Sequence, residues 1–401
     1  MNRNPKGCSN IGGPIAANME YCRGAAMHLF SLYGYHPFSP AEFQLIEDVW
    51  GNMAPSRARR LIPLMSPLGE PCVLRGDLTL SAVAYLGSHY TTDEKPLRLS
   101  YAERVFSVPR PPKENLEENQ VGVELIGWEG ASADAETAAL LLRTLDALNI
   151  ENSVLVLGDV SVISEIFSRV PRRTAEKLID ALNDGDYTKY MEEARAADIA
   201  DAAKGPILAL PSLKGGCEVL SEATELTGCA AMFEPLRRLC ASLCKLGYAE
   251  RLRVDLSFVR DLGYYSGPIY NAYSSVDGTL LGGGGRYDGL LAKEGIEGQA
   301  AGFALNLKEL AAHCASPAPK PVMMLWGGSC DCAEALRYAD ALSKKDVAFE
   351  LSWASKKEES ISTARLRGYE WWIDFGGKKA FSLGSRRELT LNEFETEALS
   401  C

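Results

Sequence analysis

The chain has 401 residues, enough for two or more domains at roughly 150 residues each. Its net charge of −11 argues against generic nucleic-acid binding, which needs clustered Lys and Arg. No run of about 18 apolar residues exists, so no membrane span is expected.

The 11 cysteines are scattered and odd in number, and only four histidines are present. Reduced thiols fit this better than a disulfide framework, and Cys330-Asp-Cys332 is too tight for a zinc pair. The first residues lack an apolar secretory stretch, so a cytoplasmic protein without metal or cofactor is expected.

In chain order, residues 15–33 carry apolar positions at helical spacing and stop at Gly34. Pro37 and Pro40 force an extended path, and residues 43–50 read as helix. A turn at 65–71 leads to a strand at 72–75, with a helix starting near Asp77 or Thr79. Strands are expected at 97–108 and 120–128, joined by a Pro-rich, then acidic, loop at 109–119. In the second strand, Gln120, Gly122 and Glu124 share one face and Val121, Val123 and Leu125 the other. Residues 132–148 read as an amphipathic helix capped by Ser132. A strand at 154–157 precedes helical patterns over 160–204, with a linker at 206–216 and more helix over 217–246.

The stretch 254–295 is the densest in signals. Alternating runs flank Val276-Asp277-Gly278, the mark of a β-hairpin, and glycines 282–285 let something approach the backbone closely. Residues 302–310 read as a short strand or turn entering a helix. A Pro-rich linker at 316–321 precedes strands at 322–326, 347–351 and 370–375 separated by helices, the pattern of a small, largely parallel α/β domain. With 11 basic and 13 acidic residues, the segment 321–401 offers no basic face.

No Walker loop, dinucleotide fingerprint or serine elbow is present. What remains is a polar set: Asp77, Thr79, Gln120, Glu124, Arg260, Tyr264, Tyr265 and Tyr287. It holds acceptors for an ammonium, a cation for a carboxylate and groups for a polar side chain, the inventory for a free amino acid.

Arg260-Asp-Leu-Gly-Tyr264-Tyr265 and Gly284-Gly-Arg286-Tyr287-Asp-Gly289 resemble the two histidine-specific motifs of histidyl-tRNA synthetases. Gln120-Val-Gly-Val-Glu124 resembles the strand after motif 2, Arg75-Gly-Asp77-Leu-Thr79 the Arg-Pro-Glu-Gly-Thr element, and Gly302-Phe-Ala-Leu-Asn-Leu-Lys308 motif 3, while Pro40 falls in the motif 1 region. The resemblance spans about residues 15–315. It implies an α/β (α+β) fold: a class II synthetase-like antiparallel sheet core with flanking helices at 1–316 and a helical insertion at about 160–246, to which the alternation beyond the linker adds the small C-terminal α/β domain at 317–401.

The departures lie on the ATP side. The motif 2 arginine falls at Ser107, the glutamate two residues on at Pro109, and the motif 3 arginine at Lys308. Phosphoryl chemistry needs preorganised positive charge, and lysine does not replace a bidentate arginine. By the resemblance, Asp77, Thr79 and Gln120 would hold the α-amino group of histidine. Glu124 with Tyr264 or Tyr265 would hold the imidazole and Arg260 the carboxylate, with Arg286 and Tyr287 supporting the floor. A core with histidine groups kept and ATP groups lost resembles the regulatory subunits of ATP phosphoribosyltransferase. That implies L-histidine as effector and a short catalytic subunit as partner, in a hetero-oligomer around a homodimer, with catalysis of the first step of histidine biosynthesis on the partner. A divergent histidyl-tRNA synthetase is the alternative, and a binding module reassigned to another ligand is a third.

Overall fold

The computed structural model describes residues 4–50, 58–89, 97–109, 115–259, 265–293, 295–314, 323–328 and 332–397. Two compact units are present, Met1–Ala315 and Ser316–Cys401.

In the first unit, α1 (Gly13–Leu32) starts with Pro14 in its first turn and ends before Gly34, whose φ of +78° only glycine adopts cheaply. It leads to β1 (His36–Pro37). A small antiparallel sheet follows, ordered β2-β4-β3, from β2 (Phe43–Leu45), β3 (Ile62–Met65) and β4 (Pro71–Leu74), with α2 (Ile46–Trp50) after β2. Next come α3 (Leu78–His89), β5 (Leu97–Phe106), β6 (Glu117–Ile126), α4 (Ala131–Ala147) and β7 (Ser153–Asp159). The insertion holds α5 (Val160–Phe167), α6 (Arg172–Asn183), α7 (Tyr187–Ala196), α8 (Asp201–Ala209), β8 (Lys214–Gly215), α9 (Val219–Thr227) and α10 (Glu234–Lys245). The unit closes with β9 (Leu252–Asp255), β10 (Pro268–Ser274), β11 (Leu280–Arg286), α11 (Asp288–Lys293), β12 (Ala300–Asn306) and α12 (Leu307–His313).

The nine-stranded sheet runs β1-β5-β6-β12-β11-β10-β7-β9-β8 and is antiparallel except for β1 on β5 and β7 on β9. The period of two in β6 decides which face is which. Val121, Val123 and Leu125 join the large apolar cluster with Cys22, Ala26 and Phe30 of α1 and Leu140, Leu141 and Leu145 of α4. Phe30 meets Phe303 of β12 edge-on at 5.7 Å. Each buried Val, Leu or Phe among them contributes roughly 1.5–3 kcal/mol. Gln120, Gly122 and Glu124 therefore project from the opposite face.

Several elements differ from the sequence expectation. Residues 43–45 are strand rather than helix, because pairing with β4 engages their backbone before α2 begins. The helix expected to be capped by Ser132 starts at Ala131 from Gly130, with no side-chain cap. The expected linker at 206–216 is instead the end of α8, which contains Pro206, followed by a 3₁₀ turn at Leu210–Ser212 and β8. Glycines 282–285 lie inside β11. A Cβ on Gly284 would fall 2.0 Å from the Gly302 carbonyl, and one on Gly282 2.3 Å from that of Ala304. What approaches Gly282 and Gly284 is the backbone of β12, and at Gly285 it is Pro268 and Ile269 of β10.

In the second unit, β13 (Met323–Trp326), α13 (Cys332–Lys344), β14 (Phe349–Ser352), α14 (Lys357–Leu366) and β15 (Trp371–Asp374) form the expected parallel alternation. Two antiparallel strands, β16 (Lys379–Ser382) and β17 (Glu388–Thr390), extend the sheet beyond that expectation, before α15 (Leu391–Glu397). No helix among the described residues is long and apolar enough to cross a membrane.

Candidate ligand-binding site

The polar face of β6 opens into a cavity of about 590 Å³, within the usual range of roughly 300–1,000 Å³ for small-molecule sites. The antiparallel register sets its walls. Leu99 of β5 stands opposite Glu124, and Gly302 of β12 stands on the other side.

At the inner end, Glu124 is 1% exposed. Its Oε1 accepts from Thr79 Oγ1 at 2.6 Å and Tyr101 Oη at 3.1 Å, and its Oε2 accepts from Tyr287 Oη at 2.5 Å. Burial pushes its carboxyl up to about 7, while the hydroxyl donors pull it down and Asp77 pushes it further up. A Cβ on Gly302 would lie 1.9 Å from Oε2, so only glycine leaves that oxygen its space.

Asp77 caps α3: its Oδ1 accepts from the Leu80 N–H at 2.9 Å. It also lines the cavity, 8% exposed, beside Thr79. Gln120 lines the wall and donates to Glu118 at 2.9 Å. Tyr265 is half-buried on the lining and packs against the cluster of Val73, Leu86 and Tyr287. Asp77, Thr79, Gln120, Tyr265 and Tyr287 thus share one cavity, with Glu124 bonded at its inner end. Arg260 and Tyr264 lie outside the described residues.

Arg286 does not line the cavity. Its guanidinium holds Asp134 at 3.0 Å, Gln299 at 2.8 Å and the Gly130 carbonyl at 2.8 Å, fastening β11 to the start of α4. Asp134 is still pushed up to about 6, because burial outweighs the guanidinium beside it.

Ser107, Pro109 and Lys308 line the outer end, with Asn306 and Glu309. The Ser107 N–H donates to Leu116, and eight residues of the returning strand separate Leu116 from Glu124. At about 3.3 Å per residue that is roughly 26 Å. Ser107 is therefore remote from the Glu124 carboxylate, whereas Asn306 stands opposite Gln120, four residues along β6 from Glu124. No group of three or more His, Cys, Asp or Glu among the described residues could hold a metal.

Three residues that the sequence reading does not place at the site matter here; of them it names only Arg75, within the Arg75–Thr79 element. Arg75 is fully buried: Nε donates to the Arg104 carbonyl at 2.9 Å, Nη1 donates to that of Pro40, and the Phe106 N–H donates to its own carbonyl at 2.8 Å. It locks β4 to β5 immediately before Asp77. Arg60 lines the outer end and donates to the Val108 carbonyl at 2.7 Å and to Ser107 Oγ at 3.3 Å. Tyr101 supplies the third hydroxyl on Glu124. All three act through non-local pairings. Arg75 left its mark in the Arg75–Thr79 element, and Tyr101 only through the bare Gly122 opposite it.

A family model described as histidyl-tRNA synthetase matches residues 7–310. An ATP phosphoribosyltransferase regulatory subunit of Moorella thermoacetica is 29% identical over 378 residues, covering 92% of this chain and 97% of the relative. One from Shouchella clausii is 34% identical over 291 residues, covering 70% and 73%. Among solved structures, one titled as an ATP phosphoribosyltransferase regulatory subunit/histidyl-tRNA synthetase from Bacillus halodurans superposes with a TM-score of 0.81 at 24% identity, covering 90% of this chain and 96% of that one. Histidyl-tRNA synthetase from Nostoc sp. superposes with a TM-score of 0.80 at 16% identity, covering 100% and 99%.

Proposed function

Because the chain belongs to the ATP phosphoribosyltransferase regulatory subunits, which carry a histidyl-tRNA synthetase-like core, we propose that it binds free L-histidine in the cavity above β6 and conveys that occupancy to a short catalytic subunit. The regulatory chain is non-catalytic, and phosphoribosyl transfer belongs to the partner. In this reading a homodimer of the chain sits within a hetero-oligomer, activating the partner and inhibiting it when histidine accumulates.

The observation that carries the reading is the buried Glu124 carboxylate, held by three hydroxyls at the inner end of a polar cavity. A ring N–H would add a donor to the three hydroxyls; an apolar isostere would leave that last acceptor position of a buried carboxylate unfilled and be disfavoured. Asp77 and Gln120 offer acceptors for an ammonium along the same wall. Serine at 107, proline at 109 and lysine at 308 supply no bidentate cation for a triphosphate. Feedback needs histidine to favour one assembly state over another.

The test is calorimetric titration of the full chain with L-histidine, paired with histidine-dependent pyrophosphate exchange and assay of a short catalytic subunit mixed with it. Binding without exchange, with activation of the partner and its reversal by histidine, is expected. Exchange above blank would move the chain to the synthetases.

A further inference from the structure

Tyr101 of β5 stands directly opposite Gly122 of β6. A Cβ on Gly122 would sit 2.1 Å from the Phe303 carbonyl and 2.8 Å from the Tyr101 hydroxyl. The Tyr101 ring therefore crosses bare backbone and reaches the next residue on that face, Glu124, on the diagonal that aromatic side chains can span. Its hydroxyl lies 3.1 Å from Glu124 Oε1 and 3.4 Å from the Phe303 carbonyl. The charged acceptor is the nearer and the stronger, and takes the proton.

Oε1 thus receives two donors, Thr79 and Tyr101, and Oε2 receives one, Tyr287. Each carboxylate oxygen has about two acceptor positions. The remaining position is on Oε2, which fills the space that a Cβ on Gly302 would take.

We propose that Tyr101 is a positioning residue for ligand recognition: together with Thr79 it saturates Oε1, and so presents Oε2 of Glu124 to a ring N–H of the ligand. The proposal rests on the histidine reading of the cavity. The groups facing Glu124 are Asp77 and Thr79 from the start of α3, Tyr101 from β5, Tyr270 from β10 and Tyr287 beyond β11. Each hydroxyl donor favours the ionised carboxylate, and Asp77 disfavours it.

The experiment is calorimetric titration of the full chain with L-histidine across about pH 5.5 to 8.5. Affinity falls on the acid side as Glu124 takes a proton and can no longer accept from the ring. Tyr101→Phe weakens binding by roughly tenfold or more, the worth of one hydrogen bond to a charged group. It also moves the acid limb to higher pH. Thr79→Val, which removes the other donor to Oε1, moves the limb the same way. Tyr270→Phe, whose lost hydroxyl lies 3.4 Å from the Gly302 carbonyl, keeps the wild-type limb. Wild-type protein that binds no L-histidine at any pH overturns the histidine reading itself. Wild-type binding with an unmoved limb in both Tyr101→Phe and Thr79→Val overturns the positioning role alone.

Discussion

In the proposed reading Asp77 has two duties that substitution can separate. As the N-cap of α3 it is worth about 1 kcal/mol. Asp77→Asn keeps an acceptor for the Leu80 N–H and is expected to melt like wild type, but it removes the charge offered to an ammonium and weakens L-histidine. Asp77→Ala should lose both. Thermal melts and titrations of the pair decide it, and equal ligand affinity in Asp77→Asn and wild type would remove Asp77 from the site. Glu124 gives a stability signature without ligand. Its carboxyl is raised from 4.5 to about 7, so the native state keeps a proton that the unfolded chain has released. Stability from this group is full below about pH 4.5 and is lost as pH rises through about 7, by about 3 kcal/mol. Asp134, raised to about 6, adds a slope of the same sign in a lower window. Denaturant unfolding of Glu124→Gln should show a flatter decline between pH 5 and 8; an unchanged slope would contradict the assignment.

At the level of elements, the glycines of β11 and β12 differ sharply from the glycine of the hairpin turn. Gly278 has a φ of +75° with open space around it, so Gly278→Ala costs only the strain of that conformation, about 1 kcal/mol. Gly284→Ala drives a methyl into the Gly302 carbonyl, and Gly302→Ala drives one into Glu124. Both should cost at least 2 kcal/mol in chemical denaturation, and Gly302→Ala should also abolish L-histidine binding. A melting point for Gly284→Ala at or above that of Gly278→Ala would refute the close approach of β12. These contrasts also mark what the sequence could reveal. The hairpin around Asp277-Gly278, the alternation in β6 and the periodicity of α1 were legible, since turn chemistry and burial write local patterns. The placement of Tyr101 over Gly122 was not, because it depends on the register of β5 against β6. Residues 43–45 and Pro206 misled for the same reason: strand pairing and helix packing overrode local preference.

For the whole molecule, each unit has its own apolar core, around Leu140 and Val123 in one and Leu325 and Ile373 in the other. Two separable unfolding transitions are expected, of which L-histidine moves one. At a hundredfold excess over Kd the ligand adds about 2.7 kcal/mol to the larger unit. Scanning calorimetry with and without histidine tests this, and one cooperative transition shifted as a whole would contradict it.

The long cavity has a consequence for how such a protein can change over generations. Tyr101, Gly122, Glu124 and Gly302 lie inside strands, where each substitution disturbs two neighbours at once. Ser107, Pro109 and Lys308 lie just past the ends of β5 and β12, where side chains turn over at little cost to the sheet. Mutational drift can therefore rewrite the mouth while the inner end stays fixed. On this geometry a lineage could lose a reaction and keep the recognition that once served it.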